Sequence, residues 1–186
     1  MKKSILLLFF FICNVSALIA QNKEWVKVKD TVNAYIIEFP TKPQKGSQDV
    51  PTAKGTVKMH TYTSQTENDK NKIYMTSFTK YPKSFFENGL NTFESQNRVL
   101  NGSIEGAVTN TKGRLVSDKK ITFNGYHGRD VKIEVKSLDL TYMIEMRTVL
   151  AGYNLYLTQI IYEKMNKGHE EAKHFFESFE LINVKQ

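Results

Sequence analysis

Cysteine is nearly absent from this chain, and its one copy, Cys13, sits in an apolar stretch near the N-terminus. Past that stretch there is no thiol, which excludes a disulfide framework, a thiol nucleophile and a cysteine-ligated metal in the body of the protein. Long hydrophobic runs are scarce too. The longest, Ile5 to Cys13, covers nine residues, where a membrane-spanning helix needs about 20. Proline occurs four times in 186 residues, and Pro40, Pro43 and Pro51 fall close together. Most of the chain is thus free of the residue that breaks regular structure.

Several catalytic signatures are approached and missed. His169-Glu170-Glu171-Ala172-Lys173-His174 comes near the zinc-hydrolase pattern, but that pattern sets its histidines four apart so that both imidazoles share one helix face. Five apart, they diverge by roughly 140° around a helix of 3.6 residues per turn. Gly102-Ser103-Ile104-Glu105-Gly106 carries its serine one place too early for a nucleophile elbow. The stretch from Gly106 to Gly113 lacks the second glycine that a phosphate-binding loop needs before its lysine, and it reads as a polar loop leading to Leu115. No dinucleotide fingerprint or calcium loop occurs. No catalytic, cofactor-binding or metal-binding residue is assigned, and no cofactor is expected.

What the chain does have begins with Lys2 and Lys3, followed by the short apolar run and then by small residues at Ala17 and Ala20. Charge, apolar core and small-residue site, in that order, predict a cleaved signal peptide. Cleavage fits after Ala17 or after Ala20; the polar run from Gln21 favours Ala20, giving residues 1–20 as leader and 21–186 as one domain. The bulky Phe10-Phe11-Ile12 before Cys13 argues against a lipoprotein site. The expected location is periplasmic or secreted. The net charge of +7 falls to +5 when the two leader lysines are removed. The remaining cations are interleaved with acids, as in Lys132, Glu134 and Lys136, rather than gathered on one segment, so nucleic acid is not an expected partner.

Strand patterns dominate the domain. Val131 to Lys136 alternates apolar and charged residues, the pattern of a strand with one wet face, and Tyr35, Ile37 and Phe39 alternate likewise. Leu140–Leu150 and Asn154–Tyr162 are apolar on both faces, which predicts central strands covered on both sides, joined by a turn at Gly152. Asn124-Gly125 is a second turn. Thr41–Gly55, with three prolines at or beside it and glycines within it, reads as a flexible segment. Gln65–Asn71 reads as a polar turn. Two stretches switch to the helical period. Phe86, Leu90, Phe93, Asn97 and Leu100 recur in steps of four and three behind a capping box at Ser84 and Glu87. Ala172, Phe175, Phe176 and Phe179 give a second apolar stripe on a helix from Lys167 to about Glu177. Together these elements predict an α+β domain with a central antiparallel sheet flanked by helices. Tyr126 and Tyr153, lying in turns, are expected to be the more exposed aromatics.

Gly125-Tyr126-His127-Gly128-Arg129-Asp130, the hairpin from Met146 to Tyr156 and the closing Phe176-Glu177-Ser178-Phe179-Glu180-Leu181 together resemble secreted bacterial proteins of the PsbP-like α/β/α-sandwich group. The resemblance spans Tyr35 to Leu181, and its motifs are structural. It implies docking onto larger partners rather than catalysis. No residue motif here matches the manganese or calcium association of the name-giving photosystem subunit. Fold alone does not set function. The expectation is a non-catalytic binding module of the bacterial cell envelope whose partner is a protein or a membrane-associated complex. Tyr126, His127 and Arg129, in the glycine-flanked turn, are the surface-binding candidates. A carrier of a lipid or hydrophobic metabolite is the alternative, with a hydrolase of dispersed site third.

Overall fold

The computed structural model describes residues 24–66, 69–166 and 169–182. The expected leader, residues 1–20, lies outside the described residues, as do 67–68 at the expected polar turn and 167–168 at the expected start of the second helix.

In chain order the strands are β1 (Val26–Asp30), β2 (Tyr35–Phe39), β3 (Gln44–Thr52), β4 (Gly55–Thr66) and β5 (Asp69–Lys80). Helix α1 (Phe93–Thr111) follows, then β6 (Arg114–Phe123), β7 (Tyr126–Ser137), β8 (Leu140–Ala151), β9 (Asn154–Glu163), α2 (His169–Glu177) and β10 (Glu180–Leu181). Seven strands form one antiparallel sheet in the order β3-β4-β5-β9-β8-β7-β6, and β1-β2-β10 form a small second sheet.

The two-sided apolar pattern of β8 and β9 has its reason in this order. Strand β9 is central, and Tyr156, Ile160 and Tyr162 enter one core with α2 and the small sheet. Its alternate residues Leu155, Leu157 and Ile161 join the clusters beneath α1. The result is α1, then the large sheet, then α2 with the small sheet, an α+β sandwich. The α2 side is filled by rings. Phe175 lies 5.3 Å from Phe39 and 5.2 Å from Tyr74, Tyr35 lies 6.0 Å from Tyr156, and Phe179 lies 5.8 Å from Tyr35 and 5.5 Å from Phe123, all between centroids. Such pairs contribute about 0.5–1.5 kcal/mol each beyond the area they bury. Asn124 (φ 49°) and Gly125 (φ 83°) make the positive-φ turn between β6 and β7.

Three expectations are corrected. Helix α1 begins at Phe93 rather than near Ser84; Lys83–Phe85 is a single 3-10 turn without a side-chain cap. The operating capping box is Thr92 with Ser95, whose hydroxyl and amide satisfy each other's orphan groups. Phe86 and Leu90 still pack with Leu100, Leu150 and Leu155, but from non-helical backbone. The helix then runs on through Gly106 to Thr111, where a polar loop was expected, and ends with Lys112 in the left-handed region. Gly113 follows because a Cβ there would sit 2.5 Å from Ile133 Cγ2. The third correction is Thr41–Gly55, which is not a loose segment but holds β3, paired with β4 from Gln44 to Thr52. Pro51 is tolerated because β3 is an edge strand.

Candidate functional site

The three sequence candidates do not converge. Side chains alternate across β7, so His127 and Arg129 face α1 while Tyr126 faces the α2 side, packed against its aromatic core. Tyr126 and Tyr153 are half-buried rather than exposed. Arg129 is not a surface residue: it is 8% exposed. Its Nη2 pairs with Asp118 Oδ2 at 3.1 Å and donates to Asn101 Oδ1 at 2.6 Å, tying β7 to β6 and to α1. Its Nε and the Thr148 Oγ1 on the partner position of β8 are both buried without a protein partner. His127 is half-buried against the Phe93 ring (5.0 Å), over which Lys120 also lies.

The histidines are dispersed. His60 lies on β4, and His174 on α2 bonds Glu38 on β2 at 2.9 Å. Among the described residues no three His, Cys, Asp or Glu side chains gather as metal ligands.

A depression of about 190 Å³ opens where α2 meets the small sheet, lined by Lys27, Glu38, His174, Glu177, Ser178 and Glu180 among others. The residues come from β1, β2, the end of α2 and β10. Ser178 locks the seam: its hydroxyl accepts from the Glu38 amide at 3.0 Å and donates to the Phe175 carbonyl at 2.8 Å. Glu38 takes both His174 and, at 3.6 Å, Lys27. The Trp25 ring packs against His174 at a tilt of 52°, 4.3 Å between centroids. Glu177 keeps a largely exposed side chain (65%). Glu38 is engaged by His174 and Lys27, and Glu177 by Lys173 at 3.8 Å, which leaves Glu180 as the lining carboxylate with no ion pair among the described residues and open to a cationic group of a partner. No sequence motif marks this site, since Glu38 and Ser178 are 140 positions apart. The only available hint is that Glu38 takes the outward position of an alternating strand.

Elsewhere, ionisation follows burial and pairing. Glu134 bonds Lys164 and Arg114, which pull its carboxyl down to about 2. Burial, and next the charge of Asp30, raises the Tyr35 phenol, and burial pushes Tyr156 up to about 12. The Tyr162 phenol, raised by burial, donates to Glu145.

This architecture is the PsbP-like α/β/α sandwich. Among solved structures, the cyanobacterial PsbP (CyanoP) of Synechocystis sp. PCC 6803 superposes with a TM-score of 0.57 over 86% of this chain and 93% of its own, at 10% identity. A Pseudomonas aeruginosa protein of unknown function covers 79% of this chain and 88% of its own at 9% identity, with a TM-score of 0.40 that carries no inference. No family model matches the sequence, and no curated protein matches it. The likeness therefore extends to the fold.

Proposed function

We propose that this chain is an exported, non-catalytic binding module of the bacterial cell envelope that docks onto a protein partner through the acidic seam beside α2. The observation that supports it most is the filling of the sandwich by its own side chains. Rings from Trp25, Tyr35, Phe39, Tyr74, Tyr156, Phe175 and Phe179 occupy the space between the two sheets and α2, so the chemistry offered to a ligand there is that of the surface. The same filling speaks against the hydrophobic-carrier reading. The charge pattern from Lys2 to Ala20 supports export. The PsbP-like fold is compatible with docking and does not by itself require it.

Capture from envelope extracts tests the reading. Wild-type protein is expected to retain a defined partner, and the charge-reversed Glu177→Lys/Glu180→Lys variant to lose it with unchanged unfolding. Background-level capture by both would overturn the proposal. Stoichiometric lipid in an organic extract of the purified protein would favour the carrier instead.

A further inference from the structure

A second surface lies at the end of the large sheet where β6 begins and the β7–β8 hairpin turns. Antiparallel register places its parts. Arg114 pairs with Glu134, so the hairpin projects past the start of β6 by the three residues 135–137, about 10 Å at strand rise. Tyr142 pairs with Glu163, and the Lys164 amide bonds the Thr141 carbonyl at 2.7 Å, which carries Met165 to the same end. Five large apolar side chains stand out there: Leu138 (101% exposed), Met165 (86%), Val116 (44%), Leu115 (42%) and Leu140 (40%).

Leu138 breaks two local rules at once. Its φ is 52°, in the left-handed region that favours glycine or asparagine, and its side chain touches nothing that offsets the strain. A local rule broken without a folded-state gain points to a function outside the isolated chain. The surrounding charge indicates the partner. Lys112, Arg114, Lys136 and Lys164 are exposed around the apolar tips. Arg114 and Lys164 are held on Glu134, and Lys112 and Lys136 form no ion pair among the described residues. Asp139 at the tip and the half-buried Glu163 are the opposing carboxylates.

We propose that this end docks on an anionic lipid surface, with Leu138, Leu140 and Met165 entering the interface and the lysines meeting headgroups. Separate apolar tips ringed by cations match insertion into an interface. A protein interface built on apolar side chains would instead gather them into one continuous core. The proposal rests on the export and docking reading above and names the surface on which the module sits while the α2 seam stays free.

The test uses protein isolated from its cells and vesicles of phosphatidylethanolamine with or without phosphatidylglycerol. Wild type is expected to bind the anionic vesicles more tightly, and Leu138→Glu/Met165→Glu or Lys112→Glu/Lys136→Glu to weaken binding by about tenfold or more. A tryptophan at the tip, Leu138→Trp, is expected to shift to the blue and be quenched by brominated phosphatidylglycerol, while Val32→Trp, in the β1–β2 turn, is not; both proteins also carry Trp25. Equal vesicle binding by all variants, or a Leu138→Trp signal no different from Val32→Trp, would overturn the lipid proposal. If the Leu138→Glu/Met165→Glu variant loses a captured protein but keeps the vesicles, the patch is a protein interface. Partner capture through the α2 seam is measured separately, so either idea can fail alone.

Discussion

Arg129 on β7 and Asp118 on β6 form an ion pair in which the cation is the more deeply buried member, the side chains being 10% and 24% exposed. That asymmetry sets an order of mutational costs. Asp118→Leu strands the guanidinium beneath α1 and is expected to cost about 3–5 kcal/mol. Arg129→Met removes the buried charge and leaves Asp118 partly hydrated, at about 1–2 kcal/mol. Urea unfolding of both variants measures the order; the reverse order would mean that Arg129 is not the buried anchor of α1.

Stability is expected to fall on both limbs of the pH profile. The Glu134 carboxyl holds its proton less tightly folded, at about 2 against 4.5. Its contribution is therefore complete above the higher value and lost as pH falls toward the lower. Tyr156 holds its proton more tightly folded, at about 12 against 10.0. Its contribution is complete below the lower value and lost as pH rises toward the higher. Glu134→Gln should flatten the acid limb and Tyr156→Phe the alkaline one, read from denaturant midpoints at each pH. An acid limb that Glu134→Gln leaves unchanged would contradict the assignment.

The start of α1 can be located by its caps. Thr92→Ala removes an acceptor for the Ser95 amide (3.1 Å) and is expected to cost about 1 kcal/mol. Ser84→Ala, in an exposed 3-10 turn, should stay within about 0.5 kcal/mol. Equal losses in thermal unfolding would return the helix start to Ser84.

The contrast between these two positions shows what the sequence made legible. Strand alternation was readable wherever one face is wet and the other dry, as at Val131 and Ile133, and two-sided apolarity marked β8 and β9 as central. The spacing of Phe86 and Leu90 misled because core residues gather on one side of a cluster whether or not the backbone between them is helical. Strand β3 was hidden because an edge strand is held by backbone bonds that its polar side chains do not report. The burial of Arg129 was legible, since it shares parity with Val131 and Ile133 and so faces α1. The glycine-flanked turn drew attention away from that alternation. The α2 seam had no motif, because its parts meet only through the pairing of β2 with β1 and β10 and the docking of α2 on Glu38.

The most direct measurement of the docking account is the N-terminal mass of the native protein in each cell fraction, with and without a high-salt wash. The expected species begins at Gln21, or at Leu18 for the earlier cut, and leaves the envelope fraction when salt screens its contacts. A soluble cytoplasmic species that still begins at Met1 would contradict it.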